Sequence, residues 1–330
     1  MVISDSPPAI HAESLVKAYG THRALDNFNL TVPTGSIHGL LGPNGAGKTT
    51  AVGVLTTLTS LDQGIARIAG TDVRDGNAVR ARIGLVGQYA AVDEILGGHQ
   101  NLVMFARLLG FRRADARRRA DELLEQFSLT DAADRPVSGY SGGMRRRLDI
   151  AVSLIRHPDV LFLDEPTTGL DPRGRIDVWD AVLRAADAGT TVLLTTQYLE
   201  EADRLADRIS IMSSGRVIAE GAPDELKANR GGDRVDLTFT SQVSSADVEC
   251  ALAPGELSFT PDPDKLLVSL AAPDGAADMV DIIRRLDAAN LTPTDIALRR
   301  PTLDEVFLSV TESTESPESS ESSDSTEENR

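Results

Sequence analysis

Several things are scarce in this chain of 330 residues, and each shortage removes a class of protein. There is one cysteine, Cys250, so no internal disulfide can form, as suits a reducing compartment. The 5 histidines are scattered without metal-ligand spacing. No apolar stretch approaches the roughly 20 residues needed to cross a bilayer. The start, Met1-Val2-Ile3-Ser4-Asp5-Ser6-Pro7-Pro8, lacks a basic region followed by an apolar one, so no secretory signal is expected. Basic residues are in deficit, 33 against 50 acidic ones, for a net charge of −17. Broad nucleic-acid binding needs cations to neutralise phosphates, so this balance argues against it. About a third of the excess lies in residues 311–330, a Ser/Glu/Thr tract that cannot bury enough surface to fold. That tail is expected to be disordered, with a regulatory or a solubilising role.

What remains is a soluble globular composition, 41% hydrophobic and 25% charged, long enough for one large domain and a smaller one. One segment narrows the chemistry. Gly42-Pro43-Asn44-Gly45-Ala46-Gly47-Lys48-Thr49 fits the phosphate-binding loop, a glycine, four free positions, then Gly-Lys-Ser/Thr. Small residues let backbone N–H groups close around phosphate oxygens, and the following helix directs its N-terminal dipole at the anion. Lys48 can reach the β- and γ-phosphates and Thr49 offers a hydroxyl to Mg²⁺, with Thr50 next in the helix. Ser36–Leu41 reads as the buried strand that the loop requires.

The first two-thirds of the chain alternate β-rich runs with helical patterns, the mark of a parallel α/β sheet. Ile37–Leu41, Ile83–Val86, Val160–Leu163, Thr191–Thr195 and Ile209–Ile211 are the expected strands. Between Asp93 and Ile155 the spacing is mostly helical, with helices over Ala114–Phe127 and through Leu148, Ala151, Leu154 and Ile155. This stretch reads as a helical subdomain (about residues 89–155) inserted into the sheet domain. Asn229-Arg230-Gly231-Gly232-Asp233 reads as a linker. Beyond it the predicted elements are strand Arg234–Thr240, helix Ser245–Leu252, strands Glu256–Thr260 and Lys265–Ala271, helix Ala276–Ala289 and strand Asp295–Arg299. That order, βαββαβ, is the ferredoxin-like split pattern. A short amphipathic helix over Thr302–Val310 follows.

A second motif supports the loop. Val160-Leu161-Phe162-Leu163 is an apolar strand ending in Asp164-Glu165-Pro166, and ligands of parallel sheets bind beyond the carboxyl ends of the strands. Asp164 is suited to hold Mg²⁺, and Glu165 to polarise a water for attack on the γ-phosphorus. A third segment, Tyr140-Ser141-Gly142-Gly143-Met144-Arg145, opens a helix just upstream, with Ser141 as N-cap. Arg117-Arg118-Arg119 and Arg145-Arg146-Arg147 read as solvated helix faces neutralised by nearby acids.

With these three motifs the chain resembles the ATP-binding subunits of ABC transporters over roughly residues 8–228. The expected fold is α/β, a P-loop NTPase of ABC type with a helical subdomain, followed over residues 229–310 by the small α+β C-terminal domain. The family signature is usually Leu-Ser-Gly-Gly-Gln; Tyr140 and Met144 depart from it, while Ser141, Gly142 and Gly143 keep its γ-phosphate-binding centre. The resemblance implies a head-to-tail homodimer in which the signature of one copy completes the ATP site of the other. It also implies that Tyr19 stacks on adenine rather than standing as a surface tyrosine. Gln88 would sense Mg²⁺ and the attacking water and begin a loop facing the membrane subunit. Asp171, in Gly169-Leu170-Asp171, would cross the dimer interface. Gln197, in Thr195-Thr196-Gln197, stands where the family's switch usually has histidine.

Val86–Glu94, Tyr140–Ile150, Thr195–Leu199 and Pro301-Thr302-Leu303-Asp304-Glu305-Val306-Phe307-Leu308 together resemble one branch, the ATP-binding subunits of daunorubicin/doxorubicin-type resistance exporters of actinobacteria, over about residues 10–310. This branch implies ATP hydrolysis at the cytoplasmic face of the cell membrane, a separate DrrB-type permease, and a hydrophobic cargo such as an anthracycline-like antibiotic or a lipid. Leu303–Leu308 would anchor the C-terminal domain or regulate the ATPase. The competing class is a soluble ABC ATPase acting on nucleic acid or the ribosome. Such proteins often carry fused ATPase pairs, zinc modules or long coiled coils, none of which is present. Glutamine at 197 can donate a hydrogen bond but cannot take a proton near neutral pH. Slower or differently pH-dependent hydrolysis is therefore expected. The pH–rate profiles of the wild type and Gln197→His should separate, and identical profiles would remove the idea.

Overall fold

The computed structural model describes residues 7–88, 90–228, 233–252, 257–260, 262 and 264–307. The linker residues 229–232, the end of the expected helix at 308–310 and the acidic tail lie outside the described residues. The chain divides into two compact units, Met1–Pro223 and Asp224–Arg330.

The first unit begins with strands β1 (Ile10–Tyr19) and β2 (His22–Val32), then β3 (Ile37–Leu41) and helix α1 (Lys48–Leu55). Strands β4 (Gln63–Ile68) and β5 (Thr71–Asp72), helix α2 (Gly76–Arg80) and strand β6 (Ile83–Val86) follow. Three helices come next, α3 (Gly98–Leu108), α4 (Arg113–Gln126) and α5 (Gly142–Ser153). The unit closes with β7 (Val160–Asp164), α6 (Pro172–Asp187), β8 (Thr191–Thr196), α7 (Leu199–Leu205), β9 (Arg208–Ser213) and β10 (Arg216–Gly221). Helix α8 (Pro223–Ala228) starts at the boundary between the units.

Six strands form the central sheet in the order β10-β9-β3-β8-β7-β6. The five from β9 to β6 run parallel, and β10 pairs antiparallel at the edge. All five strands expected from the sequence are there. A second sheet, β2-β1-β4-β5, is antiparallel and was not expected. The central strands are apolar throughout because both of their faces are covered. Val160 and Phe162 of β7 belong to one core with α1 and the antiparallel sheet, whereas Leu161 and Leu163 belong to the other, with α3, α4, α5 and α6. All four are completely buried. At about 25 cal/mol per Å², each such side chain contributes roughly 1.5–3 kcal/mol.

The helical insert forms where the spacing predicted it. Ala116, Ala120, Leu123 and Leu124 of α4 face Leu102 and Ala106 of α3 and Leu148 and Ala151 of α5 in one core. The Ser141 hydroxyl accepts from Met144 N at 3.2 Å and caps α5 as expected.

The second unit contains β11 (Asp233–Thr240), α9 (Ser245–Leu252), β12 (Leu257–Thr260), β13 (Lys265–Ala272), α10 (Ala276–Ala288) and β14 (Asp295–Arg299). Its sheet is antiparallel in the order β12-β13-β11-β14. Val235, Leu237 and Phe239 of β11 form a core with Val248 and Leu252 of α9 and Ile282 and Leu286 of α10. The alternate residues of β11 are polar, with charge at Arg234 and Asp236. Arg234 lies directly across from Arg299 of β14, a repulsive pair that two carboxylates neutralise. Arg299 is paired to Asp236 and, through both Nη atoms at 2.9 Å, to Glu305. Arg234 Nε lies 3.6 Å from Glu305. Residues 303–307 are helical, and Glu305 also accepts from Thr302 N at 2.9 Å while the Thr302 hydroxyl accepts from Glu305 N at 3.4 Å, a reciprocal cap. Leu303 and Val306 are buried.

The two-pronged Arg299 contact holds the Glu305 carboxyl down at about 2, below the usual glutamate range. A carboxylate with a lowered folded-state value stabilises fully above its unfolded value and loses that contribution as pH falls toward the folded one. Urea unfolding of the full chain, followed by circular dichroism, should weaken between about pH 5 and about pH 2.5, with Glu305→Gln less pH-dependent over that window. Equal pH dependence in the two proteins would show that Glu305 is not the group responsible.

Candidate nucleotide site

The site begins where β3 ends. A side chain at Gly42 would place its Cβ 2.5 Å from the Met212 carbonyl oxygen. Gly47 has a φ of 105° and any Cβ there would strike the Ala24 carbonyl. Glycine is therefore required at both positions by close backbone approach and, at Gly47, by a left-handed conformation. The turn is closed by Ala46 N donating to Pro43 O at 3.2 Å, and Gly215 N donates to Ala46 O at 2.9 Å. Lys48, only 4% exposed, opens α1 and folds its ammonium back over the loop, donating to Gly42 O at 2.7 Å and Pro43 O at 3.1 Å. It also lies 3.7 Å from Glu165. Burial pulls the lysine below its ordinary range, opposed by the negative charges of Glu165 and Asp164.

The parallel register supplies the acids. Asp164, the last residue of β7, lies opposite Thr195 of β8. The Thr195 hydroxyl donates to Asp164 Oδ1 at 2.6 Å, and the Thr49 hydroxyl reaches the same oxygen at 3.4 Å. Glu165 follows with a φ of 48°, left-handed backbone that costs a non-glycine residue on the order of 1 kcal/mol. Its N–H donates to the Thr195 carbonyl and hydroxyl, both at 3.1 Å, which offsets part of that cost.

Lys48, Thr49, Thr50, Asn44, Gly45 and Gly47 line one cavity of about 540 Å³ together with Tyr19, His22, Ala24, Gln88 and Glu165. Tyr19 is half exposed, with the Lys17 ammonium 5.5 Å from its ring centre. Lys17 is fixed by Asp62 at 2.8 Å. The backbone cradle, one lysine and the hard oxygens of Thr49 and Asp164 fit a nucleotide triphosphate with Mg²⁺, a cation that prefers oxygen ligands.

Other expected site residues stand apart from this cavity. Ser141, Asp171 and Gln197 are not among its lining residues, nor are Gly142 and Gly143. The Ser141 hydroxyl is occupied in capping, and Asp171 caps α6 by accepting from Gly174 N at 3.0 Å. Gln197 directly follows β8. Gly142 instead lines a smaller cavity of about 230 Å³ shared with Gln88, Arg146, Asp149 and Glu165.

Nearby acids neutralise most of the arginine runs as expected, but the runs are not solvated faces throughout. Arg145 bonds Glu94 at 3.1 Å and the carbonyls of Val137 and Ser138. Arg146 is 8% exposed. Arg147 donates to Phe127 O at 2.9 Å and pairs with Asp177 at 3.4 Å. Arg119 donates to the carbonyls of Leu154 and Ile155 at the end of α5. Only Arg117 and Arg118 fit the expectation of a solvated face. The acceptors are mostly backbone carbonyls, which leave no mark in a sequence. Thr195, quoted only as part of the switch segment, and Asp149 were missed as supporting residues; the polar pair Thr195-Thr196 after Val192-Leu193-Leu194 was the available signal for Thr195.

The fold and the site define a P-loop ATPase, and the family profile described as ABC transporter matches residues 25–168. The cbiO1 structure from Clostridium perfringens, part of the ABC transporter complex cbiONQ, superposes with a TM-score of 0.64 at 27% identity, covering 68% of this chain and 92% of that one. The chain is 56% identical over 306 residues to the daunorubicin resistance ATP-binding protein DrrA3 of Streptomyces coeruleorubidus, 92% of this chain and 96% of that protein. It is 50% identical over 305 residues to the daunorubicin/doxorubicin resistance ATP-binding protein DrrA of Streptomyces peucetius, 92% of each chain. The chain belongs to the ATP-binding subunits of ABC transporters, within the DrrA type. It is an ATP-binding and ATP-hydrolysing subunit of a transporter.

Proposed function

We propose that this chain drives export of a hydrophobic antibiotic of the anthracycline kind, or of a lipid, through a separate DrrB-type permease. It would work from the cytoplasmic face of the membrane as a homodimer. The names of two relatives, which carry daunorubicin or doxorubicin resistance, support the antibiotic cargo. Among the described residues no helix is long and apolar enough to cross a membrane, so the route across would belong to another chain. The ATPase domain spans about residues 8–228 with its helical subdomain at about 89–155. The C-terminal domain, 229–310, is ferredoxin-like, and 311–330 is an acidic tail.

In this reading Tyr19 stacks on adenine, residues 42–47 enclose the phosphates, and Lys48 exchanges its loop carbonyls for β- and γ-phosphate oxygens. Thr49, Gln88 and Asp164 would hold Mg²⁺. Bound there, the cation neutralises phosphate charge. Glu165 accepts the proton of the attacking water while the new bond forms at the γ-phosphorus and the bond to ADP breaks. Gln197 donates a hydrogen bond to the γ-phosphate. The observation that supports the dimer is the distance of the signature from the phosphate loop: Ser141–Gly143 and Asp171 do not line the cavity of Lys48 and Thr49, and Gly142 meets Gln88 and Glu165 only in a smaller cavity beside it. A second copy, placed head to tail, would bring Ser141–Gly143 to the γ-phosphate and Asp171 across the interface. Two ATP molecules would then lie between two copies.

Closure of the dimer would turn the permease outward, and hydrolysis would add repulsion between ADP and phosphate that reopens it. Glu165→Gln should bind ATP, fail to turn it over, and trap the closed dimer. A pull-down of that ATP-locked protein from membranes and lysate of the native cell should recover one polytopic membrane protein. Recovery with ribosomes or DNA and no membrane protein would instead support a soluble ABC ATPase, and normal turnover would exclude Glu165 as the base.

A further inference from the structure

One guanidinium joins two loops of the site. Arg146 lies in the second turn of α5, five residues after the Ser141 cap. Its Nε donates to Pro166 O at 2.9 Å, its Nη2 to Asp164 O at 3.1 Å and its Nη1 to Gly87 O at 2.6 Å. Asp164 and Pro166 flank Glu165, and Gly87 precedes Gln88. One side chain thus holds the carbonyls of both residues that flank Glu165 and the carbonyl of the residue before Gln88.

We propose that Arg146 is a positioning residue that sets Glu165 and Gln88 in common register with α5. The helix that Ser141–Gly143 opens would then move together with both side chains. The inference rests on the roles given to Glu165 and Gln88 above.

The chemistry of the side chain fits the task. Guanidinium is planar and rigid, with five N–H groups in fixed directions, so three carbonyls bound to it are fixed relative to one another. An ammonium is a point charge on a flexible stem and cannot span the same three acceptors. Glu165 is where such restraint is needed, because its φ of 48° is a conformation that a non-glycine residue leaves unless its neighbours hold it. Burying the cation is costly, and the negative charges of Asp149, Asp164 and Glu201 offset that cost.

The next turn of α5 supplies a second hold. Asp149 accepts from Ala91 N at 2.9 Å, so the segment carrying Gln88 is gripped at Gly87 by Arg146 and at Ala91 by a side chain three residues further along the same helix. The four atoms of this arrangement belong to α5 and to one loop, so a rotation of the helix displaces both ends of the loop together. The neighbouring arginine provides a contrast. Arg147 is comparably enclosed and also bonds backbone carbonyls, those of Phe127 and Ser128, but none of its partners belongs to the site.

The test compares Arg146→Lys with Arg147→Lys in the full chain, under conditions in which the wild type hydrolyses ATP and below the melting temperature of each protein. Arg146→Lys should lower kcat about 10- to 100-fold, the scale of a small misplacement of reacting groups, while the ATP Kd stays within about threefold. Arg147→Lys should keep kcat within about twofold whatever its loss of melting temperature. The proposal is overturned if Arg146→Lys keeps wild-type kcat, or if kcat and Kd worsen together in both variants in step with melting temperature. Should the lysine variant not fold, Arg146→Gln carries the same comparison. Failure of both to fold beside a folded Arg147→Lys would mark Arg146 as structural only and overturn it too. Glu165→Gln is measured alongside. Loss of turnover there with an active Arg146→Lys sinks this inference alone, whereas an active Glu165→Gln sinks the reading beneath it.

Discussion

The parallel pairing of β3, β7 and β8 is the constraint from which the rest of the site follows. It fixes Leu41 beside Thr196 and Asp164 beside Thr195, so the phosphate loop and the acidic pair leave the sheet at the same edge. The register is strongly specified because a slip of one residue would exchange Val160 and Phe162 with Leu161 and Leu163 between two differently shaped cores, and would move Asp164 off Thr195. The hydrogen bond between Thr195 and Asp164 therefore reports on the packing of the whole sheet. The loop that follows β3 is pinned at two points, since Met212 and Ala24 carbonyls leave room only for hydrogen at Gly42 and Gly47.

Charge within that frame is held under tension. Lys48 is buried against its own loop carbonyls, with Glu165 close enough to attract it and too far for a full hydrogen bond. In the proposed function, a phosphate arriving there would replace two neutral acceptors with charged ones, which form roughly twice as strong a bond. The binding step can thus be driven by substituting partners rather than by ordering a flexible side chain. The left-handed backbone at Glu165 has the same character: it is maintained by Thr195 on one side and by Arg146 on the other, and it directs the carboxylate at the cavity that holds Lys48.

Much of this was legible in the sequence, and the failures have physical causes. The phosphate loop, the apolar strand ending in Asp164 and the cap at Ser141 are local chemistry, and each stands where it was expected. The order of elements after residue 233 was likewise readable, because β11 alternates apolar and polar residues cleanly. The antiparallel sheet escaped because β1 is irregular: its register shifts more than once, and Ser14 has a φ of 50°, which breaks the period of two that marks a strand. The arginines of α5 escaped because a buried guanidinium satisfied by carbonyls looks, in sequence, like any basic run. Arg146 touches residues 18 to 59 positions away, and no local pattern encodes that. For the same reason sequence spacing cannot say which copy of the chain supplies Ser141 to a given Lys48.

Which copy supplies Ser141 is decided by one measurement. Chains carrying Lys48→Ala and chains carrying Ser141→Arg are each assayed for ATP hydrolysis alone, then co-assembled in equal amounts. If the site is completed by the opposite copy, each variant alone is inactive, and the mixture recovers about a quarter of wild-type turnover, since half of the dimers hold one intact site of two. A mixture no more active than the separate variants, or full activity of Ser141→Arg alone, would contradict it.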